Sequence, residues 1–214
     1  INLAYATSGE GPPLVRVANW LTHLDLDWKG PIWSHWFTEF SKDHTLIRFD
    51  LRGSGLSDRK VNEQSLEAWV QDLETIVEDA GIDKFPLLGF CQGGAIALSY
   101  TVRHPEKVSH LILFDSYSRG NLAEGTPVRK KLETKALKKM IEVGWGREDT
   151  AIFRRVFADL LMPDASEEDR RWLAELQRKT TSPAMAASLW EEFHRIDVKK
   201  LAEHINVPTL IFHV

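Results

Sequence analysis

The sequence is poor in cysteine and has no long hydrophobic run. It contains one cysteine among 214 residues, which excludes an internal disulfide and gives no sign of an oxidising compartment. No apolar run approaches the roughly 20 residues that a membrane-spanning helix needs, and no signal peptide is visible. We therefore expect a cytoplasmic protein that does not bind a membrane.

An excess of positive charge is also lacking. The sequence has 27 Lys and Arg residues against 31 Asp and Glu residues, which gives a formal net charge of −4. This balance favours neither a nucleic acid nor an acidic membrane surface as a partner. The sequence has no internal repeat or low-complexity tract either. A chain of this length is expected to form one core, with room for an insertion.

Strand and helix patterns alternate through the first half of the chain. Short apolar or alternating runs predict strands, and helical periodicity predicts the helices between them. The predicted strands cover residues 1–7, 14–18, 45–49, 85–90 and 108–114, and the predicted helices cover residues 31–40, 65–80 and the stretch that Pro105 closes. This order is typical of an α/β fold with a doubly wound, mostly parallel sheet.

The second half of the chain changes to helices alone. Helices are predicted over residues 128–143, 149–161, 167–180 and 183–195, and a strand follows at 208–214. We interpret residues 1–119 as the first part of the core, 120–205 as a helical cap, and 206–214 as the return strand. Both ends lie inside strand-like segments, so we expect a longer polypeptide. The exposed edge of the sheet could pair with a second copy of the chain, so a homodimer is possible.

The segment Gly89-Phe90-Cys91-Gln92-Gly93 lies between a predicted buried strand and a predicted helix. It has the G-x-S-x-G pattern of a nucleophile elbow, with cysteine in place of serine. Such a sharp turn holds its middle residue in a strained conformation and exposes the side chain, and a Cβ at either glycine would collide with neighbouring backbone. The helix N-terminus is expected to favour the Cys91 thiolate. A tight turn with an inert cysteine is the alternative.

Several chemically capable side chains follow the predicted strands directly. Trp20, Asp50, Cys91 and Asp115 all lie at carboxyl ends, which meet at one edge of a parallel sheet. We expect them to converge on one crevice. Within the loop of residues 50–58, Asp50 and Arg52 are expected to pair and pin the loop to itself, which favours a structural role for Asp50 over a catalytic one.

Four segments of the chain resemble the α/β-hydrolase superfamily. They are Pro12-Pro13-Leu14-Val15, Asp50-x-Arg52-Gly53-x-Gly55-x-Ser57, Leu88-Gly89-Phe90-Cys91-Gln92-Gly93-Gly94 and Val207-Pro208-Thr209-Leu210. The segments Ala18–Leu24, Gly144–Arg147 and Gln177–Pro183 are similar to an esterase-like subgroup that is also found joined to helix-turn-helix regulators or nucleotide cyclases. A cysteine in the elbow is similar instead to dienelactone hydrolases and polyhydroxyalkanoate synthases.

The resemblance implies a hydrolase of small carboxylic esters that works through an acyl-enzyme and uses no cofactor or metal. Cys91 would be the nucleophile, and backbone N–H groups of Trp20 and Gln92 would form the oxyanion hole. The family's usual acid and histidine lie beyond Val214. Some members place the acid where Asp115 stands, although a turn-capping role is the alternative.

The pocket residues that the resemblance suggests are Asn19, Phe90 and Trp145, with plain core packing as the alternative for the aromatic ones. Two further interpretations of the chain remain. It is a ligand-sensing module of a regulatory protein, with little or no catalytic activity, or it is a Ser-to-Cys variant that traps an acyl-enzyme.

Overall fold

One six-stranded sheet organises the residues that the computed structural model describes, which are 1–147, 151–162 and 164–213. The order across the sheet is β1-β3-β2-β4-β5-β6. Strand β1 is antiparallel to β3, and the other pairs are parallel. The strands are β1 (Tyr5–Ser8), β2 (Pro13–Val17), β3 (Thr45–Phe49), β4 (Phe85–Phe90), β5 (Val108–Phe114) and β6 (Thr209–Phe212).

Helices cover both faces of this sheet. Alternate residues of a strand point to opposite faces, and Leu14, Leu46 and Leu88 pack in one cluster with Phe37. Their strand neighbours join a second cluster that contains the apolar face of the helix before β4. Both faces are therefore buried, which requires apolar residues at nearly every strand position. The predicted doubly wound α/β fold is confirmed.

The helices begin where the local sequence supplies hydrogen-bond acceptors for free N–H groups. Ser65 Oγ accepts from the Ala68 N–H at 3.1 Å, and Ser166 forms a capping box with Asp169. The helices are α1 (Leu24–Lys29), α2 (Ser34–Asp43), α3 (Leu66–Asp79), α4 (Gly93–Arg103), α5 (Val128–Gly144), α6 (Ala151–Leu161), α7 (Glu167–Thr180), α8 (Pro183–Arg195) and α9 (Lys199–Ala202).

Some predicted element bounds differ from the structure. The helix predicted at 31–40 runs from Ser34 to Asp43, and α1 was not predicted. The strand predicted at 1–7 is restricted to β1, because Asn2 and Ala4 donate their N–H groups to the side chains of the 50–58 loop instead of to a strand. Residues 149, 150 and 214, which belong to two predicted elements, lie outside the described residues.

Helices α5–α9 lie between β5 and β6 in the chain and contact the loop after β2. Trp20 in that loop has its ring 5.3 Å from that of Trp145 and 5.2 Å from that of Trp190. On the other side, Phe193 of α8 stacks on Trp69 of α3 at 4.4 Å. The chain then returns to the sheet through β6, parallel to β5.

Candidate active site

The turn from β4 into α4 holds Cys91 in a left-handed conformation. Its φ is 46°, a region that non-glycine residues rarely occupy. Its N–H donates to the Phe114 carbonyl at 3.0 Å. A Cβ on Gly89 would lie 2.6 Å from the Cα of Gly94, and one on Gly93 would lie 3.0 Å from the Ala18 carbonyl oxygen. The predicted sharp turn, with glycines enforced by close backbone, is confirmed.

A cavity of about 200 Å³ opens beside Cys91. Most of its surface is apolar, and Met162, which follows α6, contributes to it together with two residues of α7. The lining residues are Asn19, Trp20, Leu21, Ile32, Trp33, Cys91, Gln92, Met162, Leu173 and Leu176. Of the four residues expected to converge on one crevice, Trp20 and Cys91 line this cavity, whereas Asp50 and Asp115 do not. The predicted site residues Asn19 and Gln92 also line it.

Two backbone amides next to this cavity are free to donate. Within the described part of the chain, the N–H groups of Trp20 and Gln92 have no hydrogen-bond acceptor. Gln92 precedes the first residue of α4, where helical N–H groups lack intrahelical partners. Trp20 is followed by Leu21, whose φ is 64°. A carbonyl oxygen in the cavity would meet donors of the kind that an oxyanion hole provides.

Phe90 and Trp145 lie one layer behind the cavity. The Phe90 ring packs edge-on against Trp33 with centroids 5.1 Å apart, and the Trp145 ring packs against Trp20. The Trp145 indole N–H donates to the Thr181 carbonyl at 3.1 Å. These two predicted pocket residues thus support the lining residues Trp33 and Trp20, whereas Asn19 lines the cavity itself.

The expectation that the Cys91 thiolate is favoured was wrong. Burial of the thiol raises its pKa above the ordinary value, the nearby Asp115 carboxylate raises the pKa further, and Arg16 acts in the opposite direction. A charged sulfur that loses contact with water loses hydration energy, so burial favours the neutral thiol over the thiolate.

Asp115 and His213 form a pair at the same edge of the sheet. Asp115 follows β5 with a φ of 44°, and its Oδ1 lies 3.2 Å from Nδ1 of His213, which follows β6. Phe90, Phe114 and Phe212 are in register, so the residues after them are neighbours. Asp115 had a turn-capping alternative, and its contact with His213 was not predicted, although the parallel register of β5 and β6 makes these residues neighbours.

A layer of buried charge beneath the cavity was also missed. Arg16 and Arg48 are register partners in β2 and β3, and both are almost fully buried, as are Asp27 and Asp50. Burial raises the pKa of Asp27 to about 7. The sequence signal for this layer was an arginine inside each of two short apolar strands, Arg16 in β2 and Arg48 in β3. A buried charge of this kind requires partners of opposite charge or hydrogen-bond acceptors.

Asp50 has a structural role, as predicted, but its predicted partner was wrong. Its Oδ2 accepts from the N–H groups of Leu24 at 3.1 Å and Leu56 at 2.9 Å. Arg52 pairs instead with Asp72 of α3, through bonds of 2.7 and 2.5 Å. The guanidinium also donates to the Ala68 carbonyl at 3.0 Å. Arg52 therefore pins the loop to α3, whereas Asp50 bonds to Leu56 within the loop and to Leu24 of α1.

The described residues contain no group of three or more His, Cys, Asp and Glu side chains that could hold a metal ion. No helix within them is long and apolar enough to cross a membrane.

A family model described as the alpha/beta hydrolase fold matches residues 24–214. Among curated proteins, the chain is 37% identical over 128 residues to a pimeloyl-[acyl-carrier protein] methyl ester esterase of Neisseria meningitidis, a match that covers 58% of this chain and 48% of that protein. It is 33% identical over 86 residues to epoxide hydrolase 3 of Xenopus tropicalis, which covers 39% of this chain and 23% of that protein.

Solved structures agree along nearly the whole chain. An esterase from Exiguobacterium antarcticum aligns over 98% of this chain and 75% of its own, with a TM-score of 0.77 and 22% identity. A bromoperoxidase from Bacillus anthracis aligns over 99% and 76%, with a TM-score of 0.78 and 18% identity. At this identity the agreement concerns the fold. The matched segments span between about a quarter and a half of the curated relatives named above.

Proposed function

The chain belongs to the alpha/beta hydrolase family, and from this premise we propose that it hydrolyses small carboxylic esters with Cys91 as the nucleophile. The observation that carries the proposal is the position of the sulfur. Cys91 stands at a strained turn, beside an apolar cavity and next to two free backbone amides. The relative named as a methyl ester esterase favours an ester over other hydrolysable bonds.

The proposed reaction has two steps. The Cys91 thiol gives its proton to a water molecule, Sγ attacks the ester carbonyl carbon, and the carbonyl oxygen becomes an oxyanion bound by the N–H groups of Trp20 and Gln92. The C–O bond then breaks, and the leaving alkoxide takes that proton back from water to give the alcohol, which leaves a thioester on Cys91. Water hydrolyses the thioester to the carboxylic acid and restores the thiol. Each oxyanion donor contributes roughly 10²- to 10³-fold to the rate.

In this proposal residues 120–205 act as a cap over the acyl group. Met162, Leu173 and Leu176 come from this segment and line the cavity opposite the elbow residues. Their apolar side chains exclude water from the thiol and hold an uncharged acyl group by burial. A cavity of about 200 Å³ suits a small group, so short acyl esters should react faster than long ones.

Asp115 is the candidate acid. Its carboxylate oxygen lies 3.2 Å from Nδ1 of His213, and a carboxylate in such contact orients an imidazole. Its charge also acts on Cys91. An Asp115→Asn variant should therefore slow thioester hydrolysis more than it slows thioester formation.

The second candidate function is ligand sensing without turnover. It is favoured by the raised pKa of Cys91, which keeps the thiol protonated in an apolar cavity. In that case an apolar molecule would occupy the cavity, and the chain would report its presence to another protein or domain.

Burst kinetics with p-nitrophenyl esters from acetate to octanoate distinguish the two functions. Esterase function predicts rapid release of about one equivalent of nitrophenolate and a mass increase of one acyl group. Because the chain has one cysteine, the adduct is easily located. Both signals should vanish in Cys91→Ala, and Cys91→Ser tests whether oxygen serves better. Release that is unaffected by Cys91→Ala would overturn the proposal, and saturable binding without release would favour sensing.

A further inference from the structure

The side chain of Asn19 is held between a buried arginine and the backbone of Trp20. Arg16 Nη2 donates to Asn19 Oδ1 at 2.5 Å, and Asn19 Nδ2 donates to the Trp20 carbonyl oxygen at 3.2 Å. Asn19 is 8% exposed and lines the same cavity as Cys91. The amide therefore sits at the wall of the cavity in one defined orientation.

Arg16 fixes that orientation. It is 1% exposed, and its guanidinium carbon lies 4.6 Å from the ring centroid of Trp33 and 5.6 Å from that of Phe90. A planar cation clamped against aromatic rings has little freedom to turn. If the Asn19 amide flipped, its NH₂ group would face the Arg16 N–H donors, and both would lose their bonds in a buried site.

One N–H of Asn19 is left over. Nδ2 carries two hydrogens, of which one goes to the Trp20 carbonyl, and the described residues give no acceptor for the other. Asn19 is also adjacent in the chain to Trp20, whose backbone N–H is a proposed oxyanion donor. A buried polar hydrogen without a partner, beside the place where negative charge would develop, is suited to bind that charge.

We propose that Asn19 Nδ2 is a third donor to the oxyanion and that Arg16 is the positioning residue that keeps this donor turned toward the substrate. This inference rests on the function proposed above and adds a side-chain donor to its two backbone amides. Arg16 contributes in a second way, because a buried positive charge also stabilises the negative intermediate in a medium of low dielectric constant.

The decisive variant is Asn19→Asp, which keeps the shape of the side chain and replaces the donor with a second acceptor. If Asn19 only accepts the hydrogen bond of Arg16, a carboxylate there should hold Arg16 as well as the amide does, and acylation of Cys91 should proceed at the wild-type rate. If Asn19 donates to the oxyanion, the acylation rate constant should fall about 100-fold or more. The half-saturating ester concentration should change little, because the lost bond forms only in the transition state.

The rate constant is measured from the nitrophenolate burst in the whole chain, and the thermal midpoint of each variant reports folding. Asn62→Asp is the matched control, because Asn62 is exposed on the surface, and it should acylate like the wild type. A folded Asn19→Asp variant with a wild-type burst overturns this inference alone. Absence of a burst in the unsubstituted chain overturns the proposed function and this inference together.

The role of Arg16 is tested with a pair of variants. Arg16→Met removes the donor and the charge, so Asn19 is free to turn and the acylation rate should fall at least 10-fold. Arg16→Lys restores a cation and one donor, and it should recover part of the loss. Equal burst rates in folded Arg16→Met and wild-type protein would contradict the positioning role. If Arg16→Met does not fold, Asn19→Asp still tests whether Asn19 donates to the oxyanion.

Discussion

At the scale of single residues, the environment of one sulfur atom decides how the site works. Two opposing effects act on the balance between the thiol and the thiolate of Cys91. The N-terminus of α4 favours the thiolate, whereas burial and the Asp115 carboxylate disfavour it and raise the thiol pKa. A helix N-terminus contributes only a fraction of a charge, whereas burial removes the thiolate from water and raises the thiol pKa. The nucleophile must therefore lose its proton during the reaction.

The raised pKa of the Cys91 thiol predicts how it reacts with iodoacetamide at different pH values. The alkylation rate at pH 7.5 should be several-fold below that of free cysteine, and it should continue to rise beyond pH 8.5, about the ordinary thiol pKa. The rates are measured by loss of free thiol, and the single cysteine makes the signal specific. Asp115→Asn removes a negative charge and should shift the profile to lower pH. A plateau below pH 8 in the wild type would contradict the prediction.

At the scale of elements, the 50–58 loop is fixed by a bond to a helix that lies later in the chain. Arg52 and Asp72 have side chains only 8% and 4% exposed, so their pairing anchors the loop to α3. Removal of one member of a buried pair leaves the other as an uncompensated charge, which is far more damaging than loss of the pair as a whole.

We predict that Asp72→Ala lowers the free energy of unfolding by about 3–5 kcal/mol, measured by urea denaturation. The double variant Arg52→Met/Asp72→Leu should recover much of this loss, because no charge is then left unpaired. The exposed pair Lys42–Glu39 is the control, and Glu39→Ala should change stability by less than about 1 kcal/mol. A cost for Asp72→Ala as small as that of the control would disprove the anchoring role.

These elements also explain what could be predicted from the sequence. Helices α7 and α8 and strand β5 have the predicted bounds, because a serine cap, a first-turn proline or an apolar run is a local signal. The elbow was equally local, since glycines 89 and 93 and the strand before them lie within ten residues. The partner of Arg52 lies 20 residues away, and α1 is held by contacts with the distant residues Asp50 and Arg48. Sequence periodicity carries no signal for such pairs.

At the scale of the whole molecule, stability should depend on one buried carboxyl group. Burial raises the pKa of Asp27 from 3.8 to about 7, against the opposing charges of Arg16 and Arg48. The folded state therefore holds this proton more tightly than the unfolded chain does. The corresponding stabilisation is fully present below about pH 4, declines as the pH rises from about 4 to 7, and is absent above pH 7.

We predict that Asp27→Asn removes this dependence, because an amide has the shape of the protonated carboxyl but does not titrate. The free energy of unfolding of the variant and of the wild type is measured by urea denaturation at pH 5 and pH 8. The value for the variant minus the value for the wild type should be larger at pH 8 than at pH 5. Between pH 5 and pH 8 this difference should increase by about 2–3 kcal/mol. The figure follows from 1.36 kcal/mol per pKa unit, counted from pH 5 up to the folded-state pKa of about 7. Asp43→Asn, on the exposed end of α2, should differ from the wild type by the same amount at both pH values. If the difference between Asp27→Asn and the wild type is also the same at both pH values, the predicted titration of Asp27 between pH 5 and pH 8 is contradicted.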